Sequence, residues 1–133
     1  MPLDGSELVE VQKEGQKLLV QLRSFSNRIF KVVTDASASR KAKSSDAGAR
    51  IVMTSDSACQ VVIPADVDGS GFDDGASFEV EQGGAGQVTI VPADGVTINT
   101  AETLMTAKRY ATLYLVRESA NQWHCCGYQQ AAG

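Results

Sequence analysis

The stretch that decides the fold is SFEVEQGGAGQVTIVPADGVTIN, residues 77–99. Phe78 and Val80 alternate with acidic residues, a period of two that is typical of a strand with one buried face and one solvated face. The run QVTIVP (87–92) repeats this alternation, and the glycines before it indicate a tight turn. This stretch therefore predicts short β-strands separated by turns.

The same rhythm continues on both sides of this stretch. Short β-branched or aromatic runs recur with turn residues between them, as expected of a sandwich or barrel. The predicted strands are RIVMT (50–54), CQVVIP (59–64), SFEVEQ (77–82), QVTIVP (87–92), VTIN (96–99), RYATLYLVR (109–117) and QWHCCGYQ (122–129). No segment repeats at a fixed period, so we do not expect a solenoid. We predict a mainly β fold, a small antiparallel β-sandwich or barrel-like domain over residues 50–133.

Residues 1–34 are predicted to be an N-terminal arm that anchors the chain to a capsid or oligomerises it. Apolar residues on alternating steps of three and four, with Gly15 in the one missing place, predict a helix with a narrow seam. They are Leu8, Val11, Leu18, Leu22, Phe25, Ile29 and Val32. Gly15 disfavours a helix interior, and residues 17–23 and 28–34 equally fit a pair of strands, so both alternatives stay open. The small, polar residues 35–49 are predicted to form a linker or edge segment.

Composition and charge exclude several classes of protein. The 43% hydrophobic and 21% charged residues are typical of a globular protein, and no run approaches the ~18 apolar residues of a membrane span. The net charge of −4 combines a basic excess in residues 1–50 with an acidic excess in residues 51–133. Nucleic acid and membrane are therefore not expected as partners. MPLDGSELVE has no signal-peptide pattern, which predicts assembly in a cytoplasm.

Asp66, Asp68 and Ser70 match the first half of a calcium-binding loop, with Asp74 at the ninth position. Ser77 stands at the twelfth position, where such a loop carries a bidentate glutamate, and no helix is predicted on either side. A solvated turn is the preferred interpretation, and calcium binding by these four residues is the alternative.

No other motif predicts catalysis or a cofactor. His124, Cys125 and Cys126 are consecutive in a predicted strand, so their side chains alternate between faces and do not converge on one metal ion. The glycine run GGAG (83–86) precedes a strand, whereas a phosphate-binding loop precedes a helix. We therefore expect neither an enzyme nor a bound cofactor. A set of aromatic residues fits either core packing or a carbohydrate-stacking surface. They are Tyr110, Tyr114, Trp123 and Tyr128.

Several short motifs follow one another in a fixed order over residues 45–130. They are Asp46-Ala47-Gly48, Val61 to Pro64, Gly75 to Glu81, Gly84 to Thr89, Gly95 to Asn99, Tyr110 to Val116 and Asn121 to Trp123. In this order and spacing the chain resembles a β-module of tailed-phage virion proteins, of the head-decoration, head-fibre or tail-fibre type. The resemblance implies a structural part of the phage particle.

The arm and the resemblance together predict a capsid decoration, cement or head-fibre protein that is assembled in the host cytoplasm and located in the virion. Its expected partners are the major capsid protein and further copies of itself, as a homotrimer. The trimer is implied by the resemblance. Two alternatives stay open, a tail-fibre or tail-adaptor component and a host-glycan-binding module.

Overall fold

The computed structural model of the protein describes residues 31–68 and 71–133. Its strands are β1 (Lys31–Asp35), β2 (Ser39–Lys41), β3 (Ala49–Met53), β4 (Cys59–Ile63), β5 (Ser77–Gln82), β6 (Val88–Pro92), β7 (Thr97–Thr100), β8 (Thr112–Ser119) and β9 (Gln122–Gly127). Two short 3-10 helices lie at Ser44–Asp46 and Asp66–Asp68. The prediction of a mainly β fold is confirmed. No helix in the described ranges has the length and apolarity needed to cross a membrane.

The described strands form two sheets. A six-stranded sheet has the order β1-β3-β5-β8-β9-β7, and a three-stranded sheet has the order β2-β4-β6. Strands β1, β3 and β5 pair in parallel, and so do β2, β4 and β6. The chain therefore passes from one sheet to the other and returns beside its previous strand. The result is a wound stack of coils, similar to a solenoid.

This winding corrects the expected antiparallel sandwich or barrel and the expectation that the chain is no solenoid. Both sheets contribute to one core, but antiparallel pairing among the named strands is confined to β5–β8 and β8–β9. Parallel strands need a crossover, and from β1 to β6 each crossover is a strand of the opposite sheet, whereas the parallel pair β7–β9 is connected through β8 of the same sheet. The repeat is hidden in the sequence because successive coils begin at unequal intervals, at Lys31, Ala49 and Ser77.

The core follows the predicted alternation. Phe78 and Val80 of β5 are buried, while the two glutamates between and after them are half-buried on the opposite face. Trp123 of β9 is only 1% exposed. Its ring meets those of Phe72 and Phe78 edge-on, at centroid distances of 5.0 and 5.8 Å. Trp123 is therefore a core residue, which was one of the two interpretations of its sequence position.

The glycine-rich segment between β5 and β6 stacks on the loop of the previous coil. The Gly86 N–H donates to the Ser55 carbonyl at 3.0 Å. A Cβ on Gly84 would overlap the Ser55 carbonyl oxygen, and one on Gly86 would overlap that of Ser57. These glycines therefore permit a close approach between two backbones. The tight turn predicted here joins strands of different sheets instead of closing a hairpin.

The first two strands lie where the sequence predicted the end of the arm and the linker or edge segment. Strand β1 includes Val32, the last member of the predicted seam, which is exposed. Strand β2 is an edge strand of the three-stranded sheet, so residues 39–41 form an edge segment. The other six seam residues, Leu8 to Ile29, lie outside the described residues. For these residues, both alternatives for the arm, a helix or a pair of strands, stay predictions.

Candidate interaction surface

Arg117 of β8 holds the acidic loop that follows β4. Its Nη2 donates to Asp66 Oδ2 at 2.7 Å, and its Nη1 donates to Asp74 Oδ1. Arg117 is only 8% exposed, so the guanidinium is largely removed from water. The hydrogen bond from Arg117 holds the pKa of Asp66 below its ordinary value. Two acidic side chains of this loop, Asp66 and Asp74, therefore balance the charge of the buried Arg117.

Two of the four predicted calcium ligands are engaged by this arginine. Asp66 and Asp74 both bind Arg117, while the Asp68 side chain and Ser70 lie outside the described residues. Among the side chains described, no group of three or more His, Cys, Asp or Glu residues is arranged to hold a metal ion. Both interpretations of the loop, the preferred solvated turn and the alternative calcium site, therefore stay predictions.

Asn121 joins three segments at the turn between β8 and β9. Its backbone N–H donates to Asp66 Oδ2 at 3.1 Å, and its Oδ1 accepts from the Asp66 N–H at 2.8 Å. Its carbonyl accepts from the Thr97 N–H at 2.9 Å. Asn121 has a φ of 54°, in the left-handed region that asparagine tolerates better than most residues. The residue therefore stabilises the fold.

The His124, Cys125 and Cys126 side chains alternate between the two faces of β9, as predicted. Cys125 is buried and Cys126 is exposed. Burial raises the pKa of the Cys125 thiol to about 12, so this thiol is protonated at neutral pH. The Cys125 thiol therefore lies on the opposite face of β9 from the His124 and Cys126 side chains.

A group of exposed cations and tyrosines lies at the corner just before β8. The Lys108 Nζ is 5.4 Å from the ring centroid of Tyr128, and the Arg109 Cζ is 4.9 Å from that of Tyr110. The two tyrosines are 65% (Tyr110) and 55% (Tyr128) exposed. Within residues 31–68 and 71–133, no ion pair joins Lys108 or Arg109 to a carboxylate. We call these four residues the basic tyrosine patch.

The structure changes the aromatic surface proposed from sequence. Trp123 is buried in the core, whereas the other three residues are exposed, namely Tyr110, Tyr114 and Tyr128. The adjacent cations Lys108 and Arg109 were not among the site residues predicted from the sequence. Their signal was present, because they are neighbours in a region where other basic residues are scarce. Comparison with known proteins found no matching family model, no matching curated protein and no matching solved structure.

Proposed function

We propose that this chain is a non-enzymatic structural component of a tailed-phage particle, acting as a capsid decoration, cement or head-fibre protein. One observation carries the proposal. The motifs that resemble the phage virion module coincide with residues that hold the wound β-fold together. A structural role is expected when the recognisable residues of a chain serve packing and turns, and no reactive centre needs them.

The first of these motifs, Asp46-Ala47-Gly48, fixes the first coil. Asp46 is 1% exposed, and its Oδ1 accepts from Arg40 Nη2 at 2.6 Å. Its Oδ2 accepts from the Lys43 N–H at 3.1 Å. Arg40 also donates to Asp35 Oδ2 at 3.0 Å, which ties the end of β1 to β2. Asp46 and Arg40 therefore bind three consecutive segments to one another.

The later motifs have comparable structural roles. Gly75 and Gly95 have φ values of 82° and 86°, a conformation that glycine adopts without steric cost. Gly84 permits the contact with the previous coil, and Trp123 fills the core. The order and spacing of these motifs thus correspond to the order of turns and strands in the wound unit.

We assign attachment and self-association to residues 1–34, as a homotrimer bound to the major capsid protein. The sheet edges at the first coil are poor sites for strand addition. Strand β2 is short, and Lys31 and Lys41 are charged side chains on the two edge strands. Charged, short edge strands discourage pairing with another sheet. The apolar seam of the arm is the better candidate for assembly.

The copy number of the chain in purified phage particles tests this proposal. Quantitative mass spectrometry would measure the ratio of this chain to the major capsid protein. A head decoration is repeated over the shell, so we expect on the order of hundreds of copies, whereas a tail location implies roughly a dozen or fewer. The low number would favour the tail-fibre or tail-adaptor alternative. Absence from washed particles would overturn the proposal.

A matched experiment tests the anchor. Particles that lack the chain would be incubated with purified full-length protein or with a variant that begins at Lys31. We expect the full-length chain to bind and the shortened chain to remain in solution. Equal occupancy by both proteins would mean that the arm is not the anchor.

A further inference from the structure

We infer that the basic tyrosine patch, formed by Lys108, Arg109, Tyr110 and Tyr128, is a binding site for an acidic saccharide. This inference goes beyond the proposed structural role and does not depend on it. It rests on the backbone of Tyr110, on the charges around the patch and on the exposure of its rings.

Tyr110 occupies a backbone position that a bulky residue does not favour. The Ala111 N–H donates to the Lys108 carbonyl at 3.1 Å, which closes a turn with Tyr110 at its third position. Tyr110 has a φ of 72°, where glycine or asparagine is the usual choice. Its N–H also donates to the Gln82 carbonyl at 2.7 Å, which holds the turn against the end of β5.

The Tyr110 side chain does not compensate for this strain through burial. It is 65% exposed and does not belong to the hydrophobic core. Glycine or asparagine would satisfy the same backbone hydrogen bonds with less strain. Strained residues of this kind are typical of functional positions. The tyrosine ring therefore has a role at the surface of the protein.

The cations of the patch have no carboxylate partner among the described residues, although the Arg109 Nε donates to the Gly83 carbonyl at 3.3 Å. In residues 51–133 the basic residues are Lys108, Arg109 and Arg117, against ten Asp and Glu residues. Arg117 is buried against Asp66 and Asp74, whereas Lys108 and Arg109 are exposed. Two exposed cations on adjacent residues can bind a carboxylate or sulfate group through the N–H groups that remain exposed.

The combination of rings and cations selects the ligand class. Exposed tyrosine rings offer an apolar face and a hydroxyl group, which suits a sugar ring. The cation–ring contacts place Lys108 beside Tyr128 and Arg109 beside Tyr110, so each ring of the patch has an adjacent cation. A nucleic acid strand needs a longer basic track, and the acidic remainder of the region would repel its closely spaced phosphates. An acidic sugar needs only one or two charges and a ring.

Calorimetric titration of the full-length protein tests the inference with defined probes. Oligogalacturonate and dextran sulfate supply sugar rings with carboxylate or sulfate groups. Neutral dextran supplies the rings alone, and polyglutamate supplies the charge alone. We expect binding to at least one acidic saccharide and at least about tenfold weaker binding to dextran and polyglutamate.

Tyr110→Asn separates a ligand role from a structural role. We expect an unchanged or higher melting temperature, because asparagine adopts a positive φ more readily than tyrosine. We also expect at least about tenfold weaker saccharide binding. The double variant Lys108→Gln/Arg109→Gln should lose binding to the same extent. Lys31→Gln and Tyr114→Asn remove a similar charge and a similar exposed ring outside the patch, and they should retain full affinity.

Several outcomes would overturn the inference. Failure of the wild-type protein to bind either acidic saccharide would do so. Equal affinity for polyglutamate would reduce the site to simple charge attraction, and tighter binding of oligothymidylate would favour a nucleic-acid site. A marked fall in the melting temperature of Tyr110→Asn would make Tyr110 a structural residue. None of these results bears on particle copy number, so the proposed function is tested separately.

Discussion

Arg117 and Asp66 lie 51 positions apart in the chain and are joined by a 2.7 Å hydrogen bond between Nη2 and Oδ2. This ion pair connects the segment after β4 with the hairpin formed by β8 and β9. The Arg117 Nε is buried without a hydrogen-bond partner, so the carboxylates supply the compensation for its desolvated charge. The loop and the hairpin therefore depend on each other.

Replacement of Arg117 by methionine should destabilise the protein. The change keeps most of the apolar stem but leaves Asp66 without its cation. We expect a loss of about 1–3 kcal/mol in the free energy of unfolding, because Asp66 and Asp74 are partly solvated and a fully buried pair would cost more. Urea unfolding at neutral pH would measure this loss.

Arg50→Met provides the matched control for that experiment. Arg50 Nη2 donates to Glu79 Oε1 at 2.7 Å, but its side chain is 33% exposed. Solvent screening reduces the contribution of such a pair, so we expect a loss below about 1 kcal/mol. If Arg117→Met costs no more than Arg50→Met, the Arg117 cluster does not hold the loop.

Acid should weaken the protein through Asp66 and Asp35. The pKa of Asp66 is lowered by the hydrogen bond from Arg117, and that of Asp35 by the hydrogen bond from Ser37. A lowered pKa in the folded state means that the unfolded chain binds protons more readily, so this stability is present above the ordinary value of 3.8 and is lost below it. We expect the urea midpoint to change little from these groups above about pH 5 and to fall toward pH 3.

The double variant Asp35→Asn/Asp66→Asn identifies the source of that acid sensitivity. It cannot lose charge at either position, so its urea midpoint should fall less steeply below pH 4 than that of the wild type. Parallel curves for the two proteins would assign the acid sensitivity to other carboxylates.

Trp123→Ala should strongly lower the free energy of unfolding of the protein. The indole is nearly inaccessible and contacts two phenylalanine rings, so its removal leaves a cavity. We expect a loss of about 3–5 kcal/mol, which is a large part of the stability of a domain of this size. Thermal unfolding would measure it, with Tyr128→Ala as the exposed control. A melting temperature equal to that of the control would contradict the core position of Trp123.

Removal of residues 1–30 should leave a folded monomer. The compact β unit begins at Lys31, so a chain that starts there keeps every strand of the two sheets. We expect a cooperative melt for this variant and trimeric mass for the full-length chain by light scattering. A further deletion through Ala38 removes β1, and it should lower the melting temperature. A full-length monomer at micromolar concentration would contradict the trimer.

The sequence by itself determined the local structure of the described strands and turns. Alternation of apolar and polar residues predicted the buried faces of β5 and β6, because a strand directs successive side chains to opposite sides. The same alternation predicted that the Cys125 side chain lies on the opposite face of its strand from those of His124 and Cys126. Glycines marked the turn between β5 and β6, because the glycine backbone tolerates conformations and close contacts that other residues avoid.

Only the tertiary structure decided which strands pair and which charges meet. Period-two alternation is identical in parallel and antiparallel sheets, so it does not reveal that β1, β3 and β5 run in parallel. The partners of Arg117 are more than forty residues away from it, and no local pattern encodes such a contact. Likewise, the exposure of Lys108 and Tyr110 and the burial of Trp123 follow from packing. Those contacts form between segments that are distant in sequence, and the folded chain alone brings them together.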